Sequence, residues 1–227
     1  LNNYNKVIAI TNWEVPHLLE LGCEKDRIVT IPNGFPEYFL NQKLGREENK
    51  ILFLGRVAPI KDLETLILAF NKIKDKEIRI EIVGPTEKEY IEKLHALIKN
   101  LKLSERIYFS EPIYDLKEKI KKIDSAKIFV LPSKREGMPQ ALIEAMAREK
   151  IVISSKTDGG KEIVKDKENG HLFEIGNVSQ LATVIDSINN SSRKTNEEMQ
   201  AKAKASVEQF SWEILINKIE KEYSSLI

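Results

Sequence analysis

Cysteine and histidine are scarce in this sequence, with one cysteine and three histidines among 227 residues. Because Cys23 stands alone, it cannot form a disulfide within the chain, which is compatible with a reducing compartment. His17, His95 and His171 lack the close spacing of metal ligands, so we predict no metal site. The sequence therefore excludes a disulfide scaffold and gives no sign of a zinc centre.

An excess of charge is also missing, because 36 basic residues balance 35 acidic residues to a net charge of +1. Nucleic-acid-binding domains usually carry a marked basic excess, so we expect no nucleic-acid partner. The apolar runs are far shorter than the ~18 residues typical of a membrane-spanning helix. Hydrophobic residues make up 41% and charged residues 31% of the chain, which indicates an ordinary globular domain.

Strand and helix signals alternate along most of the chain. Short runs rich in β-branched and aromatic residues predict strands at 6–11, 27–32, near Ile51, and at 78–83, 107–109, 126–131 and 151–153. Apolar residues at helical spacing predict helices from 11 to 21, from Asp62 to Phe70, at 87–101, 116–123 and 140–147, and over most of the chain after Val178. This alternation predicts an α/β fold, a Rossmann-like parallel sheet with helices on both faces.

Several local patterns carry narrower expectations. Thr11 and Glu14 have the spacing of a capping box, and Asp62 is placed to cap the next helix. Residues 45–49 are polar and indicate a linker, and the polar stretch 189–196 indicates a surface turn. The sequence predicts a solvated helix face for Lys117, Lys119, Lys121 and Lys122.

The most informative segment connects strand 126–131 to helix 140–147. Pro139 suits the first turn of a helix, which leaves the N–H groups around Gln140, Ala141 and Leu142 free at the positive end of the helix dipole. Such a helix start favours phosphate, and Gly137 has no side chain to block its approach. The segment therefore predicts an anion site in the loop before this helix.

Two carboxylates flank this site, Glu136 in the loop and Glu144 about 7 Å up the helix. A carboxylate beside a diphosphate is unfavourable unless it binds another group, and a vicinal diol offers two donors. We assign Glu144 to a ribose diol and Glu136 to hydroxyls of a transferred sugar. Each glutamate alone also has a simpler interpretation. Glu144 can be a solvated residue on an exposed helix face, and Glu136 can be an ordinary charged residue in a loop.

Arg56 and Lys61 form a second constellation after the strand near Ile51. Gly55 and Arg56 end the strand and Lys61 lies near the next helix start, so both cations are expected at the crevice where open α/β sheets bind ligands. Two cations opposite a helix N-terminus would neutralise a diphosphate and stabilise it as a leaving group. The alternative for each residue alone is a solvated Arg56 and a Lys61 paired with a nearby acid.

Weaker candidates lie after other strands. Gly84 can approach a nucleotide or simply form a turn with Pro85. Pro112 and Ile113 lie in a strand-to-helix loop, and Gly159 and Gly160 follow another strand.

These strings together resemble the retaining glycosyltransferases of family 4, which have the two-domain GT-B architecture. Segment 31–34 resembles that family's interdomain linker, and Gly55, Arg56 and Lys61 resemble its diphosphate-binding residues. Glu136 and Glu144 match its paired glutamates. Further matches are Gly159, Gly160, Glu162, Ile163, Val164 and Gly170, and the terminal segment Phe210, Ser211, Trp212 and Glu213.

The resemblance implies transfer of a glycosyl unit from a nucleotide sugar, with retention and without a metal or other cofactor. It implies catalytic roles for Arg56 and Lys61 at the donor diphosphate and for Glu136 at the donor sugar. It implies that Glu144 binds the ribose and that Ile113 presents its backbone to the base. The donor-binding residues implied in addition are Gly55, Gly84, Gly137, Met138, Pro139, Gln140, Ala141 and Leu142.

Two departures from the family pattern are Phe35-Pro36 after the linker and Asp62 where glycine is frequent. The first residues resemble the end of the family's acceptor domain. We therefore expect residues 1–49 to be a leader and interdomain linker and residues 50–227 to be the donor domain of a longer carbohydrate-biosynthesis enzyme. Alone, this chain is expected to bind donor but to transfer little.

Two other function classes fit the same residues, a GT-B-like sugar-nucleotide epimerase and a non-catalytic nucleotide-sugar-binding subunit. The expected partners are a UDP-, GDP- or ADP-linked sugar and the acceptor-binding domain. We expect a cytoplasmic enzyme with peripheral membrane contact through the full-length protein. The sequence identifies neither the base, the sugar nor the acceptor.

Overall fold

A computed structural model describes residues 4–226 as two parallel sheets and surrounding helices. The predicted segments 1–49 and 50–227 include residues 1–3 and 227, which lie outside the described residues. The small sheet pairs β1 (Val7–Ala9) with β2 (Ile28–Thr30). The main sheet contains β3 (Lys50–Leu54), β4 (Arg79–Val83), β5 (Ile107–Ser110), β6 (Ile128–Leu131), β7 (Ile151–Ser155) and β8 (His171–Phe173).

Helices connect the strands. They are α1 (Val15–Glu20), α2 (Tyr38–Asn41), α3 (Leu63–Lys72), α4 (Lys88–Asn100), α5 (Leu116–Asp124), α6 (Gln140–Ala147), α7 (Asp158–Ile163), α8 (Val178–Asn190), α9 (Arg193–Val207) and α10 (Trp212–Ser224). Short 3₁₀ turns occupy Asn12–Glu14, Lys25–Arg27, Pro59–Lys61 and Glu208–Phe210.

The main sheet is wound outward in both directions from its centre. Its strand order is β5-β4-β3-β6-β7-β8, and every pairing is parallel. Helix α3 packs on α4 and α8, whereas α6 packs on α2 and α9, so helices form two layers. The predicted α/β fold with a Rossmann-like parallel sheet is confirmed, and the order places a topological switch point between β3 and β6.

The central strands are apolar on both faces because helices cover both sides of a parallel sheet. Ile51, Leu52 and Phe53 of β3 have no exposed surface, and β6 is buried along its whole length. The predictions of strands near Ile51 and within 126–131 are therefore confirmed. This rigid centre fixes the two loops that leave it at the switch point.

Residues 35–45 lie against the main sheet's own core. Phe35 and Phe39 have no exposed surface and belong to the same apolar cluster as the central strands. The buried guanidinium of Arg148 forms two 2.8 Å hydrogen bonds with Asp124, which also accepts the N–H of Gly45 at 2.9 Å. Arg148 donates as well to the carbonyls of Phe39, Gln42 and Lys43. The first residue of the predicted linker 45–49 is therefore hydrogen-bonded to the main domain. The predicted domain boundary between residues 49 and 50 stays a prediction.

The predicted capping box at Thr11 is wrong. A 3₁₀ turn over Asn12–Glu14 precedes α1, and Thr11 makes no side-chain cap. The Glu14 carboxylate accepts instead from the N–H of Ile10, at 2.8 Å. The helix is therefore shorter than predicted and begins at Val15.

The predicted cap at Asp62 is also wrong in its chemistry. Asp62 precedes α3 in the left-handed region, at φ 49°, and its side chain caps no backbone N–H. Its carboxylate accepts from the hydroxyl of Thr65 at 2.7 Å.

The predicted surface turn over 189–196 is mostly helical. Helix α8 continues to Asn190 and α9 begins at Arg193. Ser192 caps α9 through its side chain, so the turn shrinks to two residues.

Candidate functional site

The loops after β3 and β6 meet at the switch point. The N–H of Lys134 donates to the carbonyl of Ile60 at 2.8 Å, which ties the two loops together. The Lys61 ammonium donates to Glu136 Oε1 at 2.6 Å, and the Ser133 hydroxyl donates to the same oxygen at 2.5 Å. The structure thus brings together Lys61 and Glu136, at the edge where doubly wound sheets bind ligands.

The main chain between Glu136 and α6 offers a row of unused donors. Among the described residues, the N–H groups of Gly137, Met138, Gln140 and Ala141 have no hydrogen-bond acceptor. Consecutive free amides at a helix start form a concave anion site. The N–H of Leu142, which was predicted to be free, donates instead to the carbonyl of Pro139 at 3.1 Å. Pro139 itself lies just before the helix as its N-cap residue, not in the first turn.

Helix α7 holds the Glu136 loop from behind. The N–H of Gly159 donates to the carbonyl of Glu136 at 3.1 Å. A Cβ on Gly159 would lie 2.1 Å from the Gly137 carbonyl oxygen, so only glycine permits this approach. Thr157 caps the helix by accepting the N–H of Gly160 at 3.0 Å. Gly159 therefore shapes the loop through close backbone packing, whereas Gly160 packs against Ser155 at the end of β7.

Glu144 lies on α6 with 5% of its surface exposed, which rules out the alternative of an exposed helix face. The Lys119 ammonium donates to Glu144 Oε1 at 2.6 Å. It also lies 2.5 Å from Oε2, but without hydrogen-bond geometry, so the buried Oε2 has no hydrogen-bond donor among the described residues. Burial raises the pKa of Glu144, and the attraction of Lys119 only partly opposes this shift.

Arg56 is not drawn into the Lys61–Glu136 pair. Its side chain is 62% exposed, and its ion-pair contact is with Glu87 near the start of α4, at 3.9 Å. Of the two predicted cations, Lys61 alone contacts the glutamate loop in this structure. The exposed Arg56 side chain has room to change rotamer.

Gly55 and Gly84 lie side by side where β3 and β4 end. A Cβ on Gly84 would lie 2.0 Å from the Gly55 carbonyl oxygen, and Gly84 has a φ of 145°. Gly84 is therefore required for backbone packing, whatever else it contacts. A cavity of about 320 Å³ beside it is lined by Ser110 and Pro112, next to the predicted base-binding residue Ile113.

The predicted solvated face of α5 is wrong at two of its four lysines. Lys119 pairs with Glu144, and Lys122 lies 2.5 Å from the buried carboxylate of Glu81. Helical spacing identified the apolar face of α5 but not its partners, because both glutamates come from distant elements.

The sequence also gave no indication of Trp13. Its indole N–H donates to the carbonyl of Gly137 at 3.2 Å, so an aromatic side chain near the N-terminus touches the anion loop. Nothing in the local pattern around residue 13 points to a partner 124 positions away.

The described residues contain neither a helix suited to span a membrane nor a cluster suited to bind a metal ion. No helix between residues 4 and 226 combines the length and apolar character needed to cross a bilayer. The same residues contain no cluster of three or more histidine, cysteine, aspartate or glutamate side chains suited to a metal ion.

Sequence comparison finds glycosyltransferases. The chain is 31% identical over 187 residues to an uncharacterised glycosyltransferase of Haemophilus influenzae, covering 80% of this chain and 51% of that protein. It is 29% identical over 226 residues to an uncharacterised glycosyltransferase of Methanocaldococcus jannaschii, covering 99% of this chain and 60% of the relative. The chain thus spans roughly half to three fifths of the length of these relatives.

Solved structures share the fold. HepE from Anabaena, crystallised with UDP and glucose, matches with a TM-score of 0.86 at 20% identity, covering 97% of this chain and 63% of HepE. Sucrose-phosphate synthase from Thermosynechococcus elongatus matches with a TM-score of 0.86 at 24% identity, covering 100% of this chain and 59% of the enzyme. At such identities these likenesses show the fold, which is that of GT-B glycosyltransferases.

The family assignment comes from a match over most of the chain, residues 35–206, which includes the loops after β3 and β6 and both paired glutamates. The chain therefore belongs to the family of glycosyl transferases group 1.

Proposed function

We propose that this chain is the donor-binding part of a retaining family 4 glycosyltransferase and that it binds the diphosphate of a nucleotide sugar between Lys61 and the loop amides. The observation that carries the proposal is the switch-point geometry. There, the Lys61 ammonium meets the loop that bears four unused N–H donors. A cation and free amides on two walls of one crevice are suited to a phosphate dianion.

The Lys61–Glu136 contact fits this role. Lys61 is paired with Glu136 at 2.6 Å and remains 19% exposed. An incoming diphosphate offers oxygens that compete for the same ammonium, which leaves Glu136 and Ser133 for the hydroxyls of the transferred sugar. Positive charge held at the phosphates stabilises the nucleoside diphosphate as it leaves.

Arg56 supplies the second positive charge in this proposal. Its contact with Glu87 is long, at 3.9 Å, and exposed, so breaking it costs little. Turning toward the crevice would bring the guanidinium to phosphate, which it binds in a bidentate manner.

Glu144 is suited to the ribose. Its Oε2 is in ion-pair contact with Lys119 but accepts no hydrogen bond, so it is open to a donor from a ligand. A ribose diol has two hydroxyl donors, one for each carboxylate oxygen. Lys119 keeps compensating charge beside the carboxylate while the ribose binds.

UDP is the first nucleotide to test, because HepE structures contain UDP, UDP with glucose, or UDP-glucose. The cavity beside Gly84 and Pro112 leaves room for a base near Ile113. GDP and ADP remain in the test because the proposed contacts to the base are to the main chain.

The remaining parts of the proposal concern the full enzyme. An upstream acceptor domain completes the active site, so the chain alone transfers little, and no metal takes part. The full-length enzyme is cytoplasmic and touches the membrane only peripherally. Retention is tested by NMR of the anomeric configuration of the product of the full-length protein.

Isothermal titration calorimetry tests donor binding directly. We expect the wild-type chain to bind at least one of UDP, GDP and ADP in the presence of EDTA. Lys61→Ala should weaken that binding about tenfold to a hundredfold, as expected for loss of a charged hydrogen bond. Arg56→Ala should weaken it less.

The matched control is Lys194→Ala, because Lys194 on α9 is 87% exposed and distant in sequence from the loops of the site. It should leave the dissociation constant unchanged. Failure of all three nucleotides to bind the folded wild type would refute the proposed function.

A further inference from the structure

We infer that Trp13 is a positioning residue that orients the main-chain amides for the donor diphosphate; this inference rests on the proposed function. The indole N–H of Trp13 donates to the carbonyl of Gly137 at 3.2 Å. Gly137 lies in the middle of the anion loop, and nothing lies within 4 Å of where its Cβ would be. A glycine in open space has the widest choice of backbone angles, so an outside contact decides its orientation.

Peptide geometry transmits this contact to the amides. The described residues contain only trans peptide bonds, in which the carbonyl and the following N–H point in opposite directions. Gly159 holds the carbonyl of Glu136 at 3.1 Å, and Trp13 holds that of Gly137. The peptide planes that carry the N–H groups of Gly137 and Met138 are therefore both fixed by elements outside the loop.

The anchor itself is well held. The neighbouring Asn12 binds Glu162 Oε1 through its main-chain N–H at 3.1 Å and through its side-chain amide at 2.7 Å. Because Glu162 lies on α7, the same helix that carries Gly159, the two carbonyl anchors belong to one connected unit. The Trp13 ring also makes an edge contact with His17, at 5.9 Å between centroids.

The segment just before residue 35 reaches the same loop. The N–H of Asn33 lies 3.1 Å from the sulfur of Met138, and the Gln140 side-chain amide donates to the carbonyl of Gly34 at 2.9 Å. These contacts hold the end of the loop near α6. The hydrogen bond at Gly137 comes from Trp13. Its loss should disturb the amides that bind phosphate and leave the base and ribose contacts in place.

The test exchanges each of the two tryptophans for phenylalanine. Trp13→Phe keeps an aromatic ring and removes the N–H. Trp212→Phe makes the same exchange where the indole nitrogen has no acceptor among the described residues. Calorimetry is run with the diphosphate among UDP, GDP and ADP that the wild type binds, and with its nucleoside.

We expect Trp13→Phe to weaken diphosphate binding about threefold to tenfold, the effect of one neutral hydrogen bond, and to leave nucleoside binding unchanged. Trp212→Phe should preserve both affinities. An unchanged diphosphate affinity in folded Trp13→Phe, or an equal loss for the nucleoside, would overturn the inference. If the wild type binds no nucleotide, the proposed function itself fails.

Fluorescence gives an independent test that does not depend on the folding of Trp13→Phe. In Trp212→Phe, Trp13 is the sole tryptophan and its indole touches the loop. We expect its emission to change on titration with the diphosphate and to remain constant with the nucleoside. A diphosphate that binds without altering this emission would contradict the positioning role.

Discussion

Two buried glutamates differ sharply in how their charge is compensated. Glu81 on β4 is 1% exposed and is surrounded by donors. Lys50 donates to it at 2.8 Å, Lys122 at 2.5 Å and Ser110 at 2.6 Å, and the Tyr108 hydroxyl lies 3.4 Å away. Glu144 on α6 is nearly as buried, but a single lysine compensates its charge, and only one of its two oxygens accepts a hydrogen bond.

The two pKa values move in opposite directions. Burial alone would raise the pKa of Glu81, but the hydrogen bonds from Lys122, Lys50 and Ser110 outweigh it, so the pKa is lowered. Burial also acts on Glu144, where Lys119 does not compensate fully, and its pKa is raised. The number of donors therefore decides the direction of each pKa shift, because several donors outweigh burial at Glu81 and one lysine does not at Glu144.

The largest expected effect comes from removing the charge of Glu81. Glu81→Gln leaves Lys50, which is 5% exposed, without its closest counter-charge, and we expect a loss of about 3–5 kcal/mol in the free energy of unfolding. Urea denaturation followed by circular dichroism measures it. Nucleotide affinity at temperatures where the variant is folded should be unchanged.

Glu105→Gln is the control for this exchange, because Glu105 is exposed before β5 and has no ion-pair partner among the described residues. A Glu81→Gln variant as stable as Glu105→Gln would remove the distinction between the two buried glutamates.

The second effect concerns binding. Glu144→Gln keeps the size of the side chain but replaces one acceptor oxygen with a donor nitrogen. We expect the free energy of unfolding to change by less than about 1 kcal/mol, because the ionised form is already disfavoured by burial. Nucleoside diphosphate binding should weaken about tenfold to a hundredfold in calorimetry, since the ribose loses a charged acceptor. A large loss of stability with intact binding would reverse the assignment.

The smallest effect is the pH dependence of stability. The lowered pKa of Glu81 means that its stabilising contribution is present above 4.5 and is lost as the pH falls through its native pKa. The raised pKa of Glu144 means that its contribution is present below 4.5 and is lost as the pH rises through its native pKa.

The measurement is urea unfolding of wild type and of both glutamine variants at several pH values around 4.5. The stability advantage of wild type over Glu81→Gln should shrink on acidification below 4.5. Relative to Glu144→Gln, wild type should instead gain stability as the pH falls toward 4.5. Parallel curves for both variants would contradict the opposed pKa shifts.

Much of the fold could be predicted because its central strands are unbroken apolar runs. The strands near Ile51 and at 78–83, 107–109, 126–131 and 151–153 all lie in the sheet, and the helix at 140–147 has the predicted bounds. The strand His171–Phe173 was missed because it contains no β-branched residue, unlike the other short strands. Helix α7 was missed because Gly159 and Gly160 lower helix propensity, whereas the Thr157 cap and tertiary packing favour it.

The site was predictable where one loop and one helix carry it, and not where partners come from elsewhere. Glu136 and Lys61 meet because β3 and β6 are neighbours in the sheet, so the loops after their carboxyl ends lie side by side. Lys119 reaches Glu144 from α5, and Trp13 reaches Gly137 from a 3₁₀ turn. These pairings depend on tertiary docking, for which residue spacing carries no signal.

The buried guanidinium of Arg148 fixes residues 39–43 to the main sheet. Because it grips carbonyls of Phe39, Gln42 and Lys43 while Phe35 and Phe39 fill the core, that stretch must travel with the main sheet as a rigid body. Swivelling of residues 4–31 against the sheet would have to break the bonds from Asn12 to Glu162 and from Trp13 to Gly137, and it would then turn on residues 32–34. Because residues 32–34 contact Met138 and Gln140, such a movement would also displace the loop at the mouth of the crevice.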